Sequence, residues 1–148
     1  MASISGGEKL QAALDAIAKR LKKGAVVRVG FLENATYPDG KKVALIAALN
    51  DFGHNTTPPR PFFRNMIADK KGEWPAAIEK LLAQTDYDAE KTLTLVGEGI
   101  AGQLRQAIVD FEGAPLKPAT IARKGHSQQL VDSGTMLNGV DFEVKGTE

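Results

Sequence analysis

The chain has 148 residues, 19 Lys and Arg against 18 Asp and Glu for a formal net charge of +1, 43% hydrophobic residues and no cysteine. That length predicts one domain over residues 1–148, and the missing cysteines exclude disulfides and thiolate metal sites. The small net charge argues against a dedicated DNA-wrapping role, and with neither a signal-peptide pattern nor a run of roughly 18 apolar residues, an unexported protein with no membrane contact is expected.

Ser5 with Glu8 has the spacing of a capping box, and Leu10, Leu14, Ile17 and Leu21 then recur at helical spacing up to Gly24. Lys19, Arg20, Lys22 and Lys23 fall where positive charge complements the dipole of that helix, and no aromatic is interleaved as in a nucleic-acid patch. Ala25 to Leu32 alternates, with Val27, Val29 and Phe31 on one face, and Asn138 to Lys145 does the same with Val140, Phe142 and Val144. Two strands are expected, with a Tyr37-Pro38-Asp39-Gly40 turn after the first.

Val43 onward is an alanine-rich helical pattern with Leu45, Ile46 and Leu49, stopped by Gly53. A polar turn from His54 to Thr57 follows. Pro58 and Pro59 then demand extended backbone, and Pro61 suits the first position of a second short helix, Phe62-Phe63-Arg64. Arg60 and Arg64 bracket the two phenylalanines, with no carboxylate between Phe52 and Ala68. Neighbours on a helix lie about 100° apart, so one of the two phenylalanines is expected to face a partner.

Pro75 sits just inside a further helix whose apolar face is Trp74, Ile78, Leu81 and Leu82, with Trp74 read as a core anchor. The longest helix is expected from Asp86 to Phe111, carrying Leu93, Val96, Ile100, Leu104 and Ile108, and these two helices together should cover one face of the sheet. From about 112 to 137 the pattern dissolves into a long loop with Pro115, Pro118 and three glycines. Loops of that length are functional or disordered. This one is basic at Lys117, Arg123 and Lys124, and Leu116, Ile121, Leu130 and Leu137 offer apolar anchors that a neighbour could bury.

Signs of chemistry are weak. Gly97-Glu98-Gly99-Ile100-Ala101-Gly102 after Thr92–Val96 imitates a dinucleotide fingerprint, but no strand ending in an acid follows at about 20 residues; a helix whose small positions admit another backbone is the better reading. His54 and His126 lack a second ligand at metal spacing and are read as loop residues. Asp51 has no paired carboxylate or base nearby, which favours an interface or capping role, and Ser133 lacks a nucleophile elbow. No catalytic, cofactor-binding or metal-binding residue is assigned, no cofactor is expected, and the chain is not expected to be an enzyme. The fold expected is α+β, a small mainly antiparallel sheet packed by one long helix and several shorter ones, with the long late loop.

Asn50-Asp51-Phe52-Gly53, a short polar turn and Pro59-Arg60-Pro61-Phe62-Phe63-Arg64 together resemble the central motif of the neck and tail-completion proteins of long-tailed bacteriophages, also described as tail-component or virion-morphogenesis proteins. Pro115 to Gly125 followed by Leu130-Val131-Asp132-Ser133-Gly134-Thr135-Met136-Leu137 is similar to that family's late loop, with Ser133 where threonine is commoner. With the Val27 to Phe31 strand, the resemblance covers most of the chain.

The resemblance implies a structural virion protein of the neck, assembled in the host cytoplasm as a homo-oligomeric ring, expected to be a hexamer. Such a ring joins the head-completion or adaptor ring to the tail tube or tail terminator. A tail terminator or minor tail component is the alternative among virion proteins. A small nucleic-acid-binding or regulatory protein using Arg60, Arg64, Lys117, Arg123 and Lys124 is the alternative from another class, and non-specific proximity to phage DNA fits either. The candidate interface residues are Asp51, Phe52, Arg60, Pro61, Phe62, Phe63, Arg64, Leu116, Lys117, Ile121, Arg123, Lys124, Leu130 and Leu137.

Overall fold

The computed structural model of the chain describes residues 6–113 and 115–147. In order these form α1 (Gly7–Leu21), β1 (Ala25–Phe31), α2 (Val43–Phe52), α3 (Phe62–Lys70), α4 (Trp74–Gln84), α5 (Ala89–Asp110), α6 (Pro118–Lys124), α7 (Thr135–Asn138) and β2 (Val140–Gly146). The fold is α+β. The alternating valines and phenylalanines of the two strands pair antiparallel, with Val27 opposite Val144, Arg28 opposite Glu143 and Val29 opposite Phe142. One face of this ribbon lies on α5, because two strands alone bury too little to persist in water.

The approach of α5 to the sheet depends on Gly97. A Cβ there would stand 2.5 Å from the Phe142 ring and 2.9 Å from Val27. Thr92 to Val96 is therefore helical, and the first glycine of the imitation fingerprint is where α5 seats on the sheet. Gly99 and Gly102, by contrast, face open space. The helix starts at Ala89 rather than Asp86, since Asp86 and Tyr87 adopt left-handed backbone (φ 55 and 59) and the Asp88 carboxylate caps the Lys91 amide at 3.0 Å.

The core joins Val43 and Ala47 of α2, Phe62 and Met66 of α3, Ala101, Leu104 and Ile108 of α5, Leu130, Met136 and Val140. Phe31, Phe62 and Phe63 cluster beside it with ring centroids 6.3–6.4 Å apart. The expectation that one of the paired phenylalanines faces a partner is thus corrected. Phe62 enters the core, and Phe63 turns the other way only as far as Phe31 of β1. Trp74 donates its indole N–H to Gln103 Oε1 at 3.0 Å, and α4 packs on α5, so α5 rather than both helices covers the sheet.

In α2, Val43, Ala47 and Asp51 point inward, Ile46 and Leu49 are half-buried, and Leu45 and Phe52 are 55% and 65% exposed. Two further expectations change. The segment expected to be one long loop contains α6 and α7: Pro118 starts α6, and Gly125 at φ 79 ends it, with its amide bonded to the Ile121 carbonyl. Asn138 belongs to α7, so β2 begins at Val140.

The N-terminal amphipathic helix forms, but none of its residues is buried, and Leu10 and Leu14 are 63% and 51% exposed. Ser5 of the expected capping box lies outside the described residues. Among the described residues no helix is long and apolar enough to cross a membrane.

The register separates two kinds of substitution. Arg28 and Glu143 form an exposed cross-strand pair at 3.4 Å, so Arg28→Ala should cost about 0.2–1 kcal/mol. Phe142→Ala opens a void under α5 and should cost roughly 3 kcal/mol, with urea denaturation as the measurement; equal losses would contradict this assignment of faces.

Candidate partner-binding cleft

The proline corner is built from the end of α2. Gly53 (φ 82) is required there because a Cβ would lie 3.0 Å from the Pro59 ring as well as straining the backbone. His54 and Thr57 exchange backbone hydrogen bonds of 3.1 and 2.8 Å, and the Arg60 amide returns to the Asn50 carbonyl at 2.7 Å. Pro61 (φ −77, ψ 53) sits at the N-cap of α3 rather than at its first helical position, in an inverse γ-turn closed by Phe62 N–H to Arg60 O at 2.7 Å.

A proline N-cap has no side chain with which to satisfy the opening amides of a helix. Asp51 does so from the previous helix. Its Oδ1 accepts from the amides of Phe63 (3.0 Å) and Arg64 (3.4 Å), and its Oδ2 from Arg64 Nε at 2.6 Å. Arg64 Nη2 also donates to the Asp51 carbonyl at 2.7 Å, and the guanidinium lies 4.5 Å above the Phe52 ring. Asp51 is only 4% exposed. Its place among the interface candidates is therefore corrected to that of a cap, in keeping with the capping half of its reading.

Between this corner and the late segment lies a cleft of about 740 Å³. Thr56, Thr57, Pro58 and Arg60 form one wall, and Leu116, Lys117, Thr120, Arg123 and Lys124 form the other. Ile46, Leu130 and Met136 contribute apolar lining, and Tyr37, Asp39, Lys41 and Asp132 also line it. Two ion pairs lie within it, Lys41 Nζ to Asp39 at 3.3 Å and Arg123 to Asp132 at 3.4 Å. Lys124 Nζ donates to the carbonyls of Gln128 (2.7 Å) and Gln129 (3.4 Å). Arg60 Nε is buried and, among the described residues, has no hydrogen-bond partner.

The titrations follow this arrangement. The backbone N–H of Lys41, helped by its ammonium, holds the Asp39 carboxyl below its ordinary value. Burial, with the like charges of Arg123 and Arg60, lowers the Lys124 ammonium against the opposing pull of Asp132. Burial, then Asp132 and Asp39, raises the Tyr37 phenol above 10.0.

Of the residues singled out from sequence, Arg60, Leu116, Lys117, Arg123, Lys124 and Leu130 meet in this cleft although some fifty residues separate the two groups. Phe52 and Arg64 form a separate exposed stack beside it. Of the interface candidates, Phe62 and Leu130 are buried within the subunit, and Pro61, Phe63 and Leu137 are half-buried. Ile121 is exposed but does not line the cleft. Tyr37, Asp39, Lys41 and Asp132 were not read as site residues; their only signals were turn chemistry and an isolated acid in a basic segment.

His54 is exposed beside Asn55, and His126 is half-buried. Among the described residues no group of three or more His, Asp or Glu could hold a metal ion. No family model, curated protein or solved structure matches the chain.

Asp51→Ala strips two amides and a guanidinium of their acceptor and should cost about 2–4 kcal/mol in chemical denaturation, whereas Asp51→Asn, which keeps one oxygen at the amides, should cost less. Because the folded Tyr37 phenol has a raised pKa, its stabilising contribution is complete below pH 10.0 and is lost as pH rises through the folded value. Tyr37→Phe should flatten the alkaline loss of stability relative to wild type, read from melting temperatures between pH 8 and roughly 11.

Proposed function

We propose that the protein is a structural component of a phage neck, a ring subunit that joins the head-completion complex to the tail tube, with tail terminator or minor tail component as the nearest variant of that role. One observation carries the reading: the two motif blocks on which the resemblance rests, far apart in sequence, form opposite walls of a single cleft. Segments that meet in space to form a concave surface are what a subunit needs to receive a neighbour. The uncovered apolar stripes support it, Leu10, Leu14 and Leu21 on α1 and Leu45 with Phe52 on α2, since apolar surface left exposed in one chain is characteristic of assembling proteins.

The nucleic-acid alternative draws on the cations of the cleft. Against it, Arg64 is committed to Asp51 and stacked on Phe52, away from the other four. Negative-stain imaging of the purified protein, alone and mixed with tail tubes, is the decisive measurement. Closed rings that cap the tubes are expected. A chain that stays monomeric at high concentration and leaves tubes uncapped, yet binds duplex DNA with affinity falling steeply between 50 and 200 mM salt, would replace the assembly reading with the nucleic-acid one.

A further inference from the structure

We infer that the cleft is a receptor for an acidic peptide segment of a partner protein, whose carboxylates lie against Arg60, Lys117 and Lys124. This deepens the assembly reading by naming what its cleft receives, and rests on that reading for the partner being a protein of the same particle.

The charge count comes first. Five cations line the cleft, Lys41, Arg60, Lys117, Arg123 and Lys124, against two carboxylates, Asp39 and Asp132. Each carboxylate is held by one cation, Asp39 by Lys41 and Asp132 by Arg123. Among the described residues, Arg60, Lys117 and Lys124 are left with no carboxylate within 4.0 Å. The second point is geometric. Among the described residues Arg60 Nε is buried without an acceptor, whereas buried donors are ordinarily satisfied. Arg60 itself lines the cleft, and a planar guanidinium is the cation best matched to a carboxylate. The third is Lys124, whose ammonium is disfavoured first by burial, against the pull of Asp132, and further by Arg123 and Arg60; an incoming anion would favour its charged form.

Size and lining then select among anions. About 740 Å³ is room for a stretch of chain, and the apolar side chains of Ile46, Pro58 and Leu116 offer nothing to an inorganic ion. A nucleic-acid strand fits less well. Tyr37, the one aromatic in the lining, is half-buried rather than presented for base stacking. An extended peptide with alternating acidic and apolar side chains meets both the cations and the apolar patches.

The test titrates the full-length protein with a fluorescein-labelled peptide, Leu-Glu-Asp-Leu-Glu-Asp, and with its uncharged counterpart Leu-Gln-Asn-Leu-Gln-Asn, followed by anisotropy and by the shift of the Arg60 Nε–H resonance. The acidic peptide should bind at least roughly tenfold more tightly than the amide peptide, and Arg60→Gln should weaken it by a similar factor, while Lys80→Gln on distant α4 leaves it unchanged. Lys117→Gln, at the exposed rim, provides the same comparison should Arg60→Gln disturb the fold. Equal binding of the two peptides, or binding indifferent to both cleft variants, overturns the proposal. Tighter binding of a twelve-nucleotide DNA strand or of inorganic phosphate at the same residues overturns it in favour of a phosphate site. Peptide binding by a protein that forms no rings refutes the assembly reading alone, and rings without peptide binding refute this inference alone.

Discussion

A single buried carboxylate fixes the relation between the two halves of the central motif. α3 has a proline rather than a Ser, Thr, Asp or Asn at its N-cap, so without an outside acceptor its first turn would carry orphaned donors at the edge of the core. Asp51 supplies that acceptor from the last turn of α2. A lone carboxylate would be costly there, and Arg64 makes it tolerable through one short bond to the side chain and another to the Asp51 carbonyl. The corner between them carries Gly53 at positive φ and the prolines Pro58, Pro59 and Pro61. Few contacts are therefore needed to hold Arg60 at the cleft and Phe62 in the core.

The opposite wall is fastened to the same core from the other direction. Leu130 and Met136 insert on either side of a polar turn, and Gly139 passes so close to Val43 that a Cβ would stand 3.0 Å from it. α7 contacts α2, α5 and β2, so the late segment is anchored at its C-terminal end while α6 stands out to form the rim. Both walls thus share one foundation, the inward stripe of α2.

Periodicity made much of this legible. The strands and their inward faces follow from strict alternation, and the long helix follows from a run of apolar residues at helical spacing. α2 shows its helical pattern but not its inward face, because alanine fills so much of it; Val43, the small Ala47 and the charged Asp51 face the core. The late segment was hidden for a related reason. It contributes isolated plugs, one apolar residue at a time, and such a pattern has no period to detect. The cleft itself could be read only in half. Its basic residues stood out as charge without counter-charge, whereas Asp39 and Asp132, which cancel part of it, are brought in by folding from separate turns.

The sheet has a consequence for how the subunit comes into being. Arg28 and Glu143 face each other across 115 residues of chain, so β1 has no partner until β2 exists. At 5–20 residues per second, a ribosome leaves β1 unpaired for roughly 6–23 s, and closing a loop of that length costs about 4 kcal/mol in chain entropy beyond a constant. During that interval α2 through α5, whose contacts are closer in sequence, are free to fold first and to present Gly97 as a prepared seat. The sheet is then the last clasp to close. Until it does, nothing covers the face of α5 that the strands will occupy, and a truncated or stalled chain exposes that face to every other nascent copy nearby.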